Sequence, residues 1–296
     1  MEVTGLTKRY GDLVAVDGVS FEVAEGEFFG ILGPNGAGKT TTLEIVEGIR
    51  EPDAGDVRLL GERPWPRNPG LLPRIGVQLQ ASAFFEKLTA REQLQTFGDL
   101  YGVSRARVGE MLELVGLSEK ADVREDRLSG GQRQRLSIAC ALVHDPEIVF
   151  LDEPTAALDP QARRNLWDVL RDIQKRGTTV VYTTHYLDEA ETLCDRVAIL
   201  DRGRVLALDT PASLVRGLDA PTRVALPPGV LDLATARSLP GADDVLEDDG
   251  DVVVSTRSPA VLVAALAERD ALDGVSVRTA TLEDVFLTLT GREYRA

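Results

Sequence analysis

The chain has 296 residues, 43% of them hydrophobic, which predicts one large folded domain with material for a smaller second one. Its formal net charge of −15 argues against a protein that acts by gripping nucleic acid phosphates, because such binding requires clustered lysine and arginine side chains. No uncharged apolar run approaches the roughly 18 residues of a membrane-spanning helix, and Met1-Glu2-Val3 opens no secretory signal, so we expect a cytoplasmic chain.

Short strands and a glycine-rich loop come first along the chain. Strands are predicted at Val3–Lys8 and Val14–Val23, and the apolar run Phe28–Leu32 predicts a buried strand that ends in the loop. Helical spacing follows over Thr40–Ile49, and a further strand is predicted at Asp56–Leu60. A strand, a glycine-rich loop and a helix in this order form the context in which phosphate-binding loops occur.

The middle of the chain alternates between helices and strands. From Thr89 to about Val115 the apolar residues repeat with helical spacing, which predicts a helical insert. The elements predicted after it are helix Gln132–Val143, strand Glu147–Leu151, helix Pro160–Lys175, strand Thr178–Thr183 and helix Leu187–Cys194. Such alternation predicts a parallel sheet covered by helices. Cys140 and Cys194 lie in apolar surroundings without metal-ligand spacing, which predicts two buried thiols.

The C-terminal quarter differs in composition from the rest. Residues 219–296 hold 14 acidic residues against 7 arginines and no lysine. The predicted elements are strand Thr222–Leu226, helix Val230–Leu239, strands Asp243–Glu247 and Asp251–Thr256, helix Pro259–Glu268, strand Val275–Arg278 and helix Leu282–Thr290. A β-α-β-β-α-β order is ferredoxin-like. We therefore predict a first domain at 1–217, with a helical subdomain at about 81–140, and a small acidic accessory domain at 218–296.

The glycine-rich loop carries the first chemical motif. Its residues are Gly33, Pro34, Asn35, Gly36, Ala37, Gly38, Lys39, Thr40 and Thr41. Glycines let successive backbone N–H groups turn toward phosphate oxygens, and the following helix adds its positive N-terminal dipole. Lys39 is expected to neutralise the β- and γ-phosphates, and the Thr40 hydroxyl to ligate Mg²⁺. The loop therefore predicts ATP binding.

Two adjacent acids end a later apolar strand. Ile148-Val149-Phe150-Leu151 runs into Asp152 and Glu153, and successive strand residues point in opposite directions. Asp152 is thus suited to holding Mg²⁺, and Glu153 to polarising an attacking water as general base. Without the phosphate loop, the same pair would be interpreted as a solvated strand end.

A third motif lies just upstream of the acidic strand. Leu128-Ser129-Gly130-Gly131-Gln132 supplies a hydroxyl, two small residues and the start of a helix, which is a second anion-binding terminus. A chain with one phosphate loop has no evident use for two such cradles. In a head-to-tail dimer, however, the cradle of one subunit closes over the nucleotide of the other.

Together with Ala157-Leu158-Asp159 and His185, these motifs resemble the nucleotide-binding domain of ABC transporters over roughly residues 1–215. The resemblance implies an α/β fold, with a P-loop NTPase (RecA-like) sheet domain and a helical insert, preceding the α+β ferredoxin-like domain. It also implies an Mg²⁺-dependent ATPase that acts as a homodimer.

The resemblance assigns roles to single residues. Tyr10 would stack on the adenine, with simple packing near a strand end as the alternative. Gln80 would reach the Mg²⁺ and the attacking water, with the nearby Gln78 as the other candidate. His185 would contact the γ-phosphate. The residues implied to act in trans across the dimer are Ser129, Gly130, Gly131, Gln132 and Asp159.

Two segments point to a branch of the family. The stretches from Gln80 to Glu92 and from Thr281 to Arg292 are similar to the daunorubicin-resistance-type drug and multidrug exporters. That branch pairs the motor with a separate permease of about six helices, which selects the substrate. The resemblance therefore implies a peripheral protein on the cytoplasmic face of a bacterial plasma membrane. In the second segment Leu282, Val285, Phe286 and Leu289 share one helix face, either packed on the small domain or used in dimer or permease contacts.

Two other classes stay open at this point. Importer motors usually carry different C-terminal additions. Soluble ABC ATPases of the DNA-repair type contain long coiled coils, and those of the translation type contain two motors, whereas this sequence shows no extended heptad run and one set of motifs.

Overall fold

A computed structural model describes residues 1–78, 84–156, 158–248 and 250–291. The chain divides into two compact units, one formed by Met1–Pro211 and another that begins at Ala212. The predicted boundary at residue 217 lies at the end of the helix Pro211–Gly217, within the second unit.

The first unit contains strands from two sheets. They are β1 (Glu2–Tyr10), β2 (Leu13–Glu22), β3 (Phe28–Leu32), β4 (Ala54–Arg58), β5 (Ile75–Gln78), β6 (Ile148–Asp152), β7 (Thr179–Thr184), β8 (Arg196–Asp201) and β9 (Arg204–Asp209). Its helices are α1 (Lys39–Val46), α2 (Ala90–Leu100), α3 (Arg105–Leu114), α4 (Gly130–Leu142), α5 (Pro160–Lys175) and α6 (Leu187–Leu193). Helix α7 (Pro211–Gly217) follows.

The larger sheet has six strands in the order β5-β6-β7-β3-β8-β9. Strands β5, β6, β7, β3 and β8 pair in parallel, and β9 pairs antiparallel with β8. Strands β3, β6 and β7 are buried along their whole length, as expected for strands covered on both faces. The predicted α/β fold with a mainly parallel, helix-covered sheet is confirmed.

A second, antiparallel sheet was not anticipated from the sequence. Strands β1, β2 and β4 form it in the order β2-β1-β4. The edge hairpin β8–β9 also went unpredicted. Its turn uses Arg202 and Gly203, both with positive φ, a conformation that suits a two-residue hairpin. Period-2 patterns suggest strands, but they do not say which strands pair.

The helical insert predicted from Thr89 to about Val115 contains two helices, α2 and α3. The chain breaks between α2 and α3 because Gly102 adopts a φ of 69°, and Ser104 caps α3 by accepting a hydrogen bond from the backbone N–H of Arg107. Both helices pack against α4. The apolar spacing continues across the break because both helices bury a face.

The second unit contains β10 (Thr222–Leu226), α8 (Leu233–Arg237), β11 (Asp244–Asp248), β12 (Asp251–Thr256), α9 (Pro259–Ala267), β13 (Ser276–Arg278) and α10 (Leu282–Thr290). Its antiparallel sheet has the order β11-β12-β10-β13. This β-α-β-β-α-β arrangement is the ferredoxin-like one. Helix α8 is shorter than the predicted Val230–Leu239, because Asp232 caps it by accepting a hydrogen bond from Thr235.

The second unit has its own hydrophobic core. Val224, Leu226, Val252 and Val254 alternate along β10 and β12 and point to the same face of the sheet. On α10, Leu282, Val285 and Phe286 are buried, whereas Leu289, on the same helix face one turn further along, is 42% exposed.

Cys140 and Cys194 are free and buried, as predicted. Within the described part of the chain, no helix combines the length and the low polarity that crossing a bilayer requires.

Candidate functional site

The candidate site lies where three neighbouring strands end. In the order β6-β7-β3, the carboxyl ends of these parallel strands meet at one edge of the sheet. The glycine-rich loop follows β3, Glu153 follows β6, and His185 follows β7. Ligands of parallel α/β sheets bind outside the carboxyl ends of the strands. The fold thus brings together residues far apart in sequence.

The loop requires glycine at specific positions. A Cβ atom on Gly33 would lie 2.4 Å from the carbonyl oxygen of Leu200, so no side chain fits there. Gly38 has a φ of 101°, and a Cβ on it would lie 2.3 Å from the carbonyl oxygen of Ala15. Gly38 directly precedes α1, so the backbone N–H groups of the loop lie next to those at the N-terminus of the helix. Such an arrangement is suited to binding phosphate.

Lys39 is buried at the centre of the site. Its ammonium group donates to the carbonyl oxygens of Gly33, at 2.7 Å, and Pro34, at 3.2 Å, and lies 3.0 Å from Oε1 of Glu153. The side chain is 4% exposed. An ammonium group at this position can exchange these contacts for the oxygen atoms of a phosphate bound in the loop.

A cluster of oxygen atoms surrounds Asp152. The hydroxyl groups of Thr40 and Thr183 donate to its two carboxylate oxygens, the first at 3.0 Å. Burial raises the pKa of Asp152, and the hydrogen bonds from Thr183 and Thr40 oppose that shift. A buried carboxylate beside a hydroxyl offers the hard oxygen donors that Mg²⁺ prefers, and a cation would offset the cost of burying the charge. Thr40 and Asp152 therefore fit the predicted metal-binding role.

Glu153 lies between Lys39 and His185. Its Oε2 atom is 2.9 Å from Nδ1 of His185, while its Oε1 atom faces Lys39. Its backbone adopts a φ of 45°, an uncommon conformation for a residue with a side chain, and its N–H donates to the Thr183 hydroxyl at 2.9 Å. The backbone strain and the two side-chain contacts aim this carboxylate into the site.

Tyr10 ends β1 with an exposed ring. The ring is 41% exposed, and the guanidinium carbon of Arg50 lies 5.4 Å from its centroid. Arg50 is also bound to Glu44 at 2.6 Å. The Nζ atom of Lys8 lies 5.9 Å from the same centroid. An exposed aromatic ring is the kind of group on which a nucleotide base can stack.

The residues predicted to act in trans form two helix N-termini in this chain. Ser129 caps α4 through a reciprocal box with Gln132, and both Ser129 and Gly130 are exposed. Asp159 caps α5 by accepting hydrogen bonds from the N–H groups of Gln161 and Ala162. None of the hydrogen bonds described for Ser129 or Asp159 reaches the phosphate loop of the same chain.

Of the two glutamines considered for contact with Mg²⁺ and the attacking water, one lies among the described residues. Gln80 lies outside the described residues. Gln78 ends β5 and is 1% exposed.

Sequence reasoning missed several positions around the site. Thr183 contacts both acids because it pairs with Asp152 in the β6–β7 register. Glu189 is fully buried, and its Oε2 atom accepts hydrogen bonds from Tyr182 at 2.7 Å and Thr184 at 2.6 Å. Thr184 in turn accepts the N–H of Tyr186, so the network anchors the backbone on both sides of His185. A hydroxyl at the end of a buried strand was the available signal for Thr183.

The chain is similar in sequence to known proteins. The family model described as ABC transporter matches residues 16–156. The chain is 42% identical to the Nod factor export ATP-binding protein I of Paraburkholderia xenovorans (strain LB400), over 99% of this chain and 97% of that protein. It is 35% identical to the linearmycin resistance ATP-binding protein LnrL of Bacillus subtilis (strain 168), over 100% of this chain and 99% of that protein.

The fold is also similar to that of solved structures. One is a dimeric ATP-binding cassette in a post-hydrolysis state bound to ADP and Pi, with a TM-score of 0.64 and 30% identity. The match covers 71% of this chain and 97% of that one.

Proposed function

This chain belongs to the ABC transporter family of ATP-binding subunits, and we propose that it is the ATP-hydrolysing motor of an exporter whose membrane-spanning permease is a separate polypeptide. The observation that carries the proposal is the convergence of the phosphate loop, Asp152, Glu153 and His185 at one sheet edge. The names of the relatives, Nod factor export and linearmycin resistance, support an exporter of drug-like or lipophilic molecules.

Nucleotide binding is assigned to the loop from Gly33 to Thr41 and to Tyr10. The loop N–H groups and the N-terminus of α1 bind the phosphates, and Tyr10 stacks on the adenine. Lys39 exchanges its contacts with Gly33, Pro34 and Glu153 for phosphate oxygens. Thr40 and Asp152 hold Mg²⁺, with Gln80 as the remaining proposed ligand. When bound, the ion neutralises phosphate charge.

Hydrolysis is assigned to Glu153. Once Lys39 pairs with phosphate, the Glu153 carboxylate loses its cationic partner and can accept a proton from an attacking water. His185, 2.9 Å from Glu153, orients that carboxylate and reaches toward the γ-phosphate. The strained backbone of Glu153 and its hydrogen bond to Thr183 keep the base in place.

The working unit proposed is a head-to-tail homodimer. Ser129, Gly130, Gly131 and Gln132 of one subunit would complete the nucleotide site of the other, and Asp159 would signal between the sites. The similarity to a dimeric cassette supports this arrangement. Two identical subunits give two competent sites, because each chain carries Glu153.

Co-purification tests the proposal. A tagged chain carrying Glu153→Gln is expressed in its own host, the membranes are solubilised in mild detergent with Mg-ATP, and the recovered proteins are identified. We expect an integral membrane protein of about six helices at a near one-to-one ratio. Recovery of soluble proteins, ribosomes or DNA alone would leave the ATPase chemistry but refute the exporter.

A further inference from the structure

Arg163 extends from α5 to the segment that carries His185. It lies in the first turn of the helix, and its guanidinium carbon is 5.0 Å from the ring centroid of Tyr186 and 5.9 Å from that of Trp167. Trp167 is four residues further along α5 and shares a helix face with Arg163. Tyr186 directly follows His185 and is the N-cap residue of α6. Arg163 therefore connects α5 to the His185 segment.

The aromatic rings, rather than an ion pair, determine where the guanidinium group of Arg163 lies. The ion pair described for this group joins Nη1 to Oδ2 of Asp188 at 3.9 Å, and the Asp188 side chain is 58% exposed. Exposed pairs of this kind contribute little. A planar guanidinium group is attracted to the faces of aromatic rings, and the Arg163 side chain is only 23% exposed. The arginine and the two rings thus restrain one another.

Tyr186 packs against the imidazole ring of His185. The two ring centroids are 4.2 Å apart, and the ring planes are inclined by 43°. The backbone N–H of Tyr186 donates to the Thr184 hydroxyl at 2.9 Å, which fixes the backbone but not the side-chain torsion angles of Tyr186. Nδ1 of the same imidazole lies 2.9 Å from Oε2 of Glu153. Two side chains therefore hold His185, Glu153 at one nitrogen and Tyr186 against the ring.

We propose that Arg163 is a positioning residue for ATP hydrolysis, which keeps the Tyr186 ring against His185 and so keeps the imidazole beside Glu153. The inference rests on the proposed function, since it concerns a residue that acts through His185. The side-chain contacts described for Arg163 are with Tyr186, Trp167 and Asp188, and none is with the phosphate loop or Glu153. Its influence on the reaction passes through the His185 segment.

Three variants separate the charge, the planar shape and the position of this arginine. Arg163→Gln removes the cation, Arg163→Lys keeps the charge but loses the planar group, and Arg164→Gln removes an exposed arginine next to it on α5. We expect kcat for ATP hydrolysis to fall about tenfold in Arg163→Gln, because a small misplacement of a reacting group slows a reaction by up to about 100-fold. Arg163→Lys should lie between Arg163→Gln and the parent chain, and Arg164→Gln should match the parent.

Nucleotide binding distinguishes a positioning role from a general loss of structure. In Arg163→Gln the Kd for a non-hydrolysable ATP analogue should change less than about threefold, because an interaction that acts on the chemical step alone leaves ground-state binding intact. An arginine that merely supports the fold would lower kcat and the affinity together.

Nuclear magnetic resonance shows directly whether the imidazole moves, since the chain has only two histidines, His144 and His185. The ring of Tyr186 shifts the resonances of the His185 ring protons, and His185→Ala identifies these resonances by their loss. We expect Arg163→Gln to change the chemical shifts of His185, because the Tyr186 ring is released. His144, which stacks on Tyr101 at 4.1 Å, is the internal control and should keep its chemical shifts.

Three results would overturn the inference while the ATPase assignment stands. They are a parent kcat in Arg163→Gln, slower hydrolysis with the His185 resonances unchanged, and loss of analogue binding in Arg163→Gln. If the parent chain itself hydrolyses no ATP, the proposed function fails.

Discussion

At the scale of single residues, the site is organised around competition for Lys39. Its ammonium group is shared between loop carbonyl oxygens and Glu153. An entering triphosphate would carry more charge than Glu153 and would take Lys39 from it. The same exchange that binds the nucleotide therefore releases the carboxylate that acts as base.

The first residue-scale prediction concerns Lys39→Ala. We expect the affinity for ATP to fall at least tenfold, because hydrogen bonds to charged groups contribute about 1.5–3 kcal/mol each. Equilibrium dialysis with ATP measures the change. Lys175→Ala is the control, since it removes an exposed lysine of α5 that pairs with Asp172. Unchanged affinity in Lys39→Ala would remove this residue from the site.

The second residue-scale prediction concerns the pH dependence of stability at Glu47, which follows the last residue of α1. Glu47 is buried, and neither of its carboxylate oxygens has a hydrogen-bond partner among the described residues. A carboxyl group whose pKa is higher in the folded than in the unfolded state contributes stability that is fully present at a pH below the unfolded-state pKa. This contribution is lost as the pH rises toward the folded-state pKa. For Glu47 the loss occurs between pH 4.5, the ordinary pKa of a glutamate, and about pH 9, its pKa in the folded state. The free energy of unfolding of Glu47→Gln should thus rise relative to that of the parent with increasing pH, by about 4 kcal/mol between pH 5 and pH 8.

Urea unfolding in metal-free buffer at both pH values measures that difference. Glu25→Gln, which removes an exposed carboxylate from the same unit, is the control. If the difference in the free energy of unfolding between Glu47→Gln and the parent does not change with pH, then burial does not raise the pKa of Glu47 in the folded protein.

At the scale of elements, β7 joins the parts of the site. It lies between β6 and β3, and the register that pairs Asp152 with Thr183 places one hydroxyl against both acids. The network of Tyr182, Thr184 and Glu189 then fixes the chain leading to His185. Three functional segments are thus positioned by a strand that carries none of the predicted site residues.

The element-scale prediction is made for Thr183→Val. Valine keeps the shape but removes the hydroxyl that contacts Asp152 and the N–H of Glu153. We expect kcat for ATP hydrolysis to fall about 10- to 100-fold, consistent with a loss of about 1–3 kcal/mol for unsatisfied buried groups. The Kd for a non-hydrolysable ATP analogue should change less than about threefold.

Thr179→Val is the control for that measurement, because it lies at the opposite end of β7 and binds the N–H of Gly26. If Thr183→Val hydrolyses ATP at the parent rate, the hydroxyl does not position the acids.

Local signals decided which elements could be predicted from the sequence. The phosphate loop, the cap at Ser129 and the buried strand ending in Asp152 depend on residues adjacent in sequence, so all three could be predicted. The antiparallel sheet of β1, β2 and β4 depends on pairing between distant segments. The position of Thr183 against Asp152 depends on strand register, and the burial of Glu47 depends on the packing around α1. No local pattern encodes either.

At the scale of the whole molecule, the chain joins an ABC motor to a ferredoxin-like unit with its own core. The curated relatives match over nearly the full length, so the second unit is part of the likeness and not an addition to this chain. The proposed motor cycle is closure of the dimer on ATP, hydrolysis by Glu153, and reopening once phosphate leaves.

The measurement that tests this account most directly is ATP turnover by Glu153→Gln under saturating Mg-ATP, with the oligomeric state followed by light scattering. General base catalysis contributes about 10²- to 10⁴-fold, so we predict hydrolysis at least a hundredfold slower than in the parent chain. The variant should still bind ATP and accumulate as a dimer that retains unhydrolysed nucleotide. Turnover near the parent rate would contradict the assignment of Glu153 as the base and, with it, the proposed cycle.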